Sequence, residues 1–99
     1  MILATYEKQP AEVKDYDIDY SAWLNAANDT LQSATASVIC TNNATDTALI
    51  ITSVVTQTPL VKLWMSGGTT GCKYKVTVLA TTVGGRVDES ELVFKVKDY

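Results

Sequence analysis

No stretch of this 99-residue chain keeps a helical period; apolar residues alternate with polar ones over short runs, and turn residues separate the runs. Residues 13–20 show it most clearly: Tyr16, Ile18 and Tyr20 point one way while Asp15, Asp17 and Asp19 point the other. The following S-A-W-L breaks that period and predicts a single turn that drops Trp23 or Leu24 onto the core. Asn28-Asp29 is turn chemistry within a loop over residues 25–30. Residues 31–40 place Ala34, Ala36, Val38 and Cys40 on one face, small side chains that suit close packing against a neighbour. After a polar turn containing Asn42-Asn43, residues 48–55 form a continuous, largely β-branched run, as expected of a strand covered on both faces. Pro59 makes residues 56–59 a connection. A short strand over 61–65 and a glycine-rich turn over 66–71 follow. Residues 73–82 turn Tyr74, Val76, Val78 and Ala80 inward, and residues 87–96 do the same with Leu92, Phe94 and Val96. Between them, Gly84-Gly85 supplies the positive φ values of a tight primed hairpin.

About seven strands with turns every eight to twelve residues predict an all-β chain: a single immunoglobulin-like or fibronectin type III-like β-sandwich over residues 13–99. The length supports one domain. Residues 1–12 carry Pro10 and no core pattern, so they read as an extended N-terminal arm that does not stay ordered alone. Tyr74 opens a strand three residues after Gly71, the place of a tyrosine corner whose hydroxyl bonds back to upstream backbone; an ordinary half-buried strand tyrosine is the alternative.

Function is narrowed mostly by exclusion. The absence of histidine removes the commonest general acid/base and the commonest metal ligand. A net charge of −3 with scattered Lys and Arg argues against nucleic acid. No apolar run approaches a membrane span, and the first residues lack a signal peptide's pattern, so the chain reads as soluble and made in the cytoplasm, with no membrane partner. Cys40 and Cys72 lack the spacing of the immunoglobulin disulfide and read as buried or turn thiols. Asp15, Asp17 and Asp19 have the D-x-D-x-D spacing of a calcium loop, but Tyr20 and Ala26 stand where Gly and Glu are required. A wet strand face that repels self-pairing or meets a basic partner suits them better. Asp88, Glu89 and Glu91 could serve glycoside hydrolysis only within a walled cleft that so short a chain has few residues to build. No nucleophile elbow, P-loop or dinucleotide fingerprint is present. The sequons at Asn28 and Asn43 read as coincidence without a secretory signal. The expectation is therefore no enzyme, no metal and no cofactor. Trp23 and Trp64 remain as binding candidates; for Trp64, alternation puts either the ring or its neighbours Leu63 and Met65 in the core.

Two stretches carry a family resemblance. One is E-V-K-D-Y-D-I-D-Y-S-A-W-L over residues 12–24; the other is L-W-M-S-G-G-T-T-G-C-K-Y-K-V-T-V-L-A-T-T-V-G-G-R-V-D-E over residues 63–89. Both resemble small tailed-phage virion proteins of the fiber–tail adaptor type, in which a D-Y-x-x-D-W-S-x-W-L opening precedes an S-G-G-T-x-G-x-x-Y turn and a G-G-R-x-D-E hairpin. The sequence departs at Tyr20, where that pattern has Trp, and in its apolar residues 42–59. The resemblance implies an immunoglobulin-like sandwich in the virion, assembled in the host cytoplasm, that joins tail fibers to the tail through protein–protein contacts. Implied partners are other phage structural proteins (tail tube or nozzle, tail fiber, or capsid), with multiple copies in a symmetric assembly. A capsid cement or decoration protein is the first alternative, a carbohydrate- or surface-binding module the second. In this frame the arm is the docking element, with Tyr6, Lys8, Pro10, Glu12 and Val13 as expected partner-binding residues. Deleting residues 1–10 should then abolish incorporation while leaving thermal stability nearly unchanged.

Overall fold

The computed structural model describes residues 2–98. Seven strands and one short helix follow in the order β1 (Ile2–Lys8), β2 (Lys14–Asp19), α1 (Ser21–Ala26), β3 (Leu31–Cys40), β4 (Leu49–Gln57), β5 (Leu60–Gly67), β6 (Lys73–Thr82) and β7 (Val87–Val96). They form two sheets, β1-β7-β6-β3 and β2-β5-β4. Lettered A to G in chain order, these are A-G-F-C and B-E-D: the immunoglobulin partition, with the first strand on the G side. Every ladder is antiparallel except β1 on β7.

The alternation expected of β2, β6 and β7 is what fills the sandwich. Tyr74, Val76, Val78 and Ala80 of β6 face Leu92, Phe94 and Val96 of β7 on the same inner surface, all at most 2% exposed. Val61, Leu63 and Met65 of β5 close over them from the other sheet, each fully buried. Burying such a side chain contributes roughly 1.5–3 kcal/mol, so this central strip supplies most of the driving force. α1 delivers Leu24 to the core (2% exposed), while Trp23 stays half-buried at the rim. Its ring packs on Tyr20 and lies under the Arg86 guanidinium, 4.7 Å from the ring centre.

Three expectations change. Residues 2–8 are not a loose arm: β1 pairs with β7 from Ile2↔Glu91 and, after a shift between Ile2 and Ala4, in regular register from Ala4↔Leu92 to Lys8↔Val96, and the Lys97 N–H donates to the Lys8 carbonyl. The core pattern is present but disguised, because the inward positions are Ala4, Tyr6 and Lys8, a small, an aromatic and a charged residue. Met1 and Tyr99, the outer bounds of the expected arm and domain, lie outside the described residues.

The second change is at β4, which is not covered on both faces. It is the rim strand of the three-stranded sheet, so Leu49, Ile51 and Val54 turn inward while Ile50 and Val55 are 49% and 43% exposed. It also extends past residue 55 to Gln57, so only the cis Thr58–Pro59 bond and its neighbours make the turn.

The third is the β6–β7 turn. Only Gly85 has positive φ (87°); Gly84 is there for space, because a Cβ on it would come within 2.7 Å of the Asp29 carboxylate. Cys40 and Cys72, by contrast, are the free, buried thiols expected of them. Cys40 ends β3 and Cys72 precedes β6, neighbouring strands of one sheet, whereas the immunoglobulin bridge spans the two sheets.

Candidate docking surfaces

The expected partner-binding residues sit where the chain crosses from one sheet to the other, between β1 and β2. The crossing is closed by reciprocal bonds: the Glu12 N–H donates to the Gln9 carbonyl (3.1 Å), and the Gln9 N–H donates to Glu12 Oε1 (2.7 Å). Glu12 also pairs with Lys14 at 2.7 Å. The Lys14 bond first, and then the Gln9 N–H, lower the Glu12 pKa. Glu12 therefore has a structural task already. Pro10 is half-buried, and Val13 is 61% exposed, an apolar side chain held out at the crossing.

Lys8 is buried at this crossing, and Tyr6, two residues before it, is half-buried. Lys8 is 1% exposed, and its ammonium donates to the Gly67 carbonyl at the end of β5 (2.6 Å) and to the Gln9 carbonyl (3.0 Å). It thus ties the first strand of one sheet to the central strand of the other. Burial lowers its pKa, with Glu12 opposing that shift. Gly67 is at φ 74°, and a Cβ there would run into the Ala48 carbonyl oxygen, so the acceptor for Lys8 needs glycine. Tyr6 packs between Tyr16 (centroids 4.6 Å apart) and Phe94 (5.3 Å), an aromatic cluster that bridges the sheets.

The acidic stripe of β2 behaves as its alternation predicts. Asp15, Asp17 and Asp19 are exposed on the outer face, with Lys62 of β5 bridging Asp15 (2.9 Å) and Asp17 (3.6 Å). Asp19 is taken up by the Ser21 N–H as the chain enters α1. Beside them on β5, Trp64 is 38% exposed while Leu63 and Met65 are fully buried, so the neighbours hold the core and the ring faces out. Trp64 is registered opposite Asp15, which makes one surface of acid and aromatic.

The second acidic group does not converge. Ser90 donates to Asp88 (2.7 Å) and receives the Tyr20 hydroxyl (3.3 Å), whereas Glu91 pairs with Lys75 (3.0 Å). Register places Glu91 opposite Thr77 and Glu89 opposite Leu79, on the outer face, away from Asp88 and the buried Ser90. Among the described residues, no three His, Cys, Asp or Glu side chains form a group that could hold a metal ion.

At the opposite end, Tyr74 makes the corner. The Thr69 N–H, five residues upstream, donates to its hydroxyl (2.9 Å), which in turn donates to Asp46 Oδ1 (2.6 Å). Burial first, and the Asp46 bond second, push the tyrosine pKa up to about 12. Hydrogen bonding from Thr69, Tyr74 and the Ala48 N–H holds Asp46 at about 2. The acceptor role of Asp46 was not legible in the sequence, because it lies 28 residues from Tyr74 in a polar loop with no local pattern.

A family model described as "Podophage GP4 fiber-tail adaptor protein gp77" matches residues 8–95. No curated protein matches the chain. The matched span starts at the buried Lys8 and ends one residue before the close of β7, so it takes in both sheets.

Proposed function

Since the chain belongs to the podophage GP4 fiber-tail adaptor family, we propose that it is a non-enzymatic joint of the virion, holding tail fibers to the tail by protein–protein contacts. The observation that carries this reading is the extent of the family match, which covers the sandwich almost end to end. The chemistry of the surface supports it. The acidic stripe of β2 with Trp64 beside it offers a basic, partly apolar partner both charge and a flat ring. Next to it, Val13 projects from a crossing whose base is fixed by Lys8 and Tyr6. In this assignment Pro10, Glu12 and Val13 form the docking edge, and Tyr6 and Lys8 hold it in place. Partners are other tail and fiber proteins, and the joint is assembled in the host cytoplasm before release.

Particles assembled without this chain test the reading. Tails that form but carry no fibers are expected, with fibers restored by adding back the purified protein. Fibers that attach normally in its absence would sink the adaptor role. Hundreds of copies per head, in place of a number matched to the tail's symmetry, would favour a capsid decoration protein instead.

A further inference from the structure

We propose that two copies of this chain pair through the free edge of β4, in antiparallel register about Val55, extending the three-stranded sheet across a two-fold axis. The inference does not depend on the adaptor reading. It begins with charge. From Thr30 to Val61 the sequence contains one charged residue, Asp46, and that carboxylate is already engaged by Tyr74 and the Ala48 N–H. Those residues build both strands of one lateral flank: β3 at the rim of the larger sheet and β4 at the rim of the smaller.

The other flank is formed by β1 and β2 and is guarded in the usual way. β2 carries Lys14, Asp15, Asp17 and Asp19, and β1 carries the exposed Glu7. Exposed edge strands invite pairing with another chain, and natural sheets blunt them with charge, proline or bulges. β4 has no charged residue and no proline. It does have a bulge between Ile51 and Ser53, but residues 53–57 then run in regular register against β5, from Ser53↔Trp64 to Gln57↔Leu60. That leaves a regularly paired, uncharged stretch with a ladder partner on one side only. Ile39, Ile50 and Val55 are exposed on this flank, and an open cleft of about 360 Å³ lies between the two rim strands, lined in part by Ala36, Val38, Leu49 and Ile51.

The occupant follows from the same charge pattern. Two copies of a chain with net charge −3 repel when they meet through the β2 stripe. They meet through the uncharged flank with no carboxylate opposed to another. A two-fold contact places the same patch on both sides, so each group faces its own kind or its symmetry mate. An uncharged strand satisfies that condition automatically. With the axis at Val55, Val55 faces Val55 of the second copy, and Ser53 faces Gln57; β-branched pairs and hydroxyl–amide pairs suit an antiparallel ladder.

The test is sedimentation equilibrium of the full chain with charge-swapped variants at an exposed position that the fold tolerates. The wild type should sediment at twice the 10.7 kDa chain mass at high concentration and dissociate on dilution. Val55→Lys puts two like charges directly opposite each other and should weaken pairing by at least tenfold, as should Val55→Glu; mixing the two variants should restore it as a heterodimer. Leu79→Lys, on the outer face of the other sheet, should pair like the wild type. A wild-type chain that stays monomeric at millimolar concentration would overturn the proposal and leave the edge to a strand of another virion protein. Dimers of Val55→Lys as tight as the wild type, masses above two chains, or a mixture that stays monomeric would overturn it as well.

Discussion

β1 and β4 each form the rim of a sheet, yet the two are held very differently. β1 turns Tyr6 into an aromatic cluster with Tyr16 and Phe94 and buries the Lys8 ammonium on a carbonyl of the opposite sheet. β4 carries no charged residue, and leaves Ile50 and Val55 in solvent, as β1 leaves Ile2 and Leu3 at its start. The burial of a rim strand is thus decided by what the facing sheet offers it and not by its own hydrophobicity. β1 lies over the junction of the sheets and meets partners on both; β4 has a neighbouring strand on one side and an open cleft toward β3 on the other.

The largest expected effect comes from removing β1. Deletion of residues 1–8 strips the parallel ladder from β7, exposes Phe94 and Val96, and breaks the aromatic cluster. Aromatic contacts contribute about 0.5–1.5 kcal/mol each beyond their burial, and ladder bonds about as much again. For a domain of this size the melting temperature should fall by more than about 15 °C. Thermal melts of the truncated chain decide this; a fall of only a few degrees would return residues 1–8 to the status of a dispensable arm and break the contrast with β4.

A single atom carries part of the same difference. Lys8→Ala leaves the Gly67 carbonyl without its donor and removes a buried stem, at a cost of about 1–3 kcal/mol. Lys8→Met leaves the same carbonyl unpaired but keeps the stem and removes a charge whose burial was itself costly, so it should lose less than Lys8→Ala. Urea denaturation of the pair measures the split. If both variants equal the wild type, the Lys8 contact does not hold the sheets together.

How much of this could be read from the sequence follows from the same contrast. The alternation of β2, β6 and β7 was legible because each strand has one wet and one dry face, and period two records that directly. Tyr74 was legible because its donor, the Thr69 N–H, is local. β1 was not, because its inward positions include a lysine that is satisfied only by a carbonyl 59 residues away. The apolar run of β4 marks a strand, but its burial was not legible: composition does not say whether a strand is central or at the rim. Among the expected docking residues, Val13 is at the surface while Lys8 is beneath it, and only tertiary structure separates the two.

β4 does have one electrostatic anchor, Asp46, just before its first residue. Its pKa is about 2 in the folded chain against 3.8 for an ordinary aspartate, so the stabilisation is fully present above about pH 5 and is lost as pH falls through the window between those values. Asp29 is also held at about 2 and loses its stabilisation in the same range, so acid alone does not isolate either group. Comparing wild type with Asp46→Asn does. The variant should be less stable at neutral pH and should lose less stability on acidification, with the two melting curves converging near about pH 2. Parallel pH dependences would show that Asp46 does not anchor the approach to β4.

The smallest effect is the most pointed. At concentrations where the chain is monomeric, Val55→Thr should change unfolding stability by no more than about 0.5 kcal/mol, because the side chain stands in solvent on the outer face. The same conservative exchange at an inward position such as Val61, fully buried on the adjacent strand, places a hydroxyl in the apolar core and should cost about 1–3 kcal/mol. Equal losses at the two sites would mean that β4 is covered even in the single chain. A near-zero loss at Val55 in the monomer, together with a clear loss of pairing at higher concentration, would mean that the hydrophobicity of β4 stabilises contact with a second chain far more than it stabilises the fold.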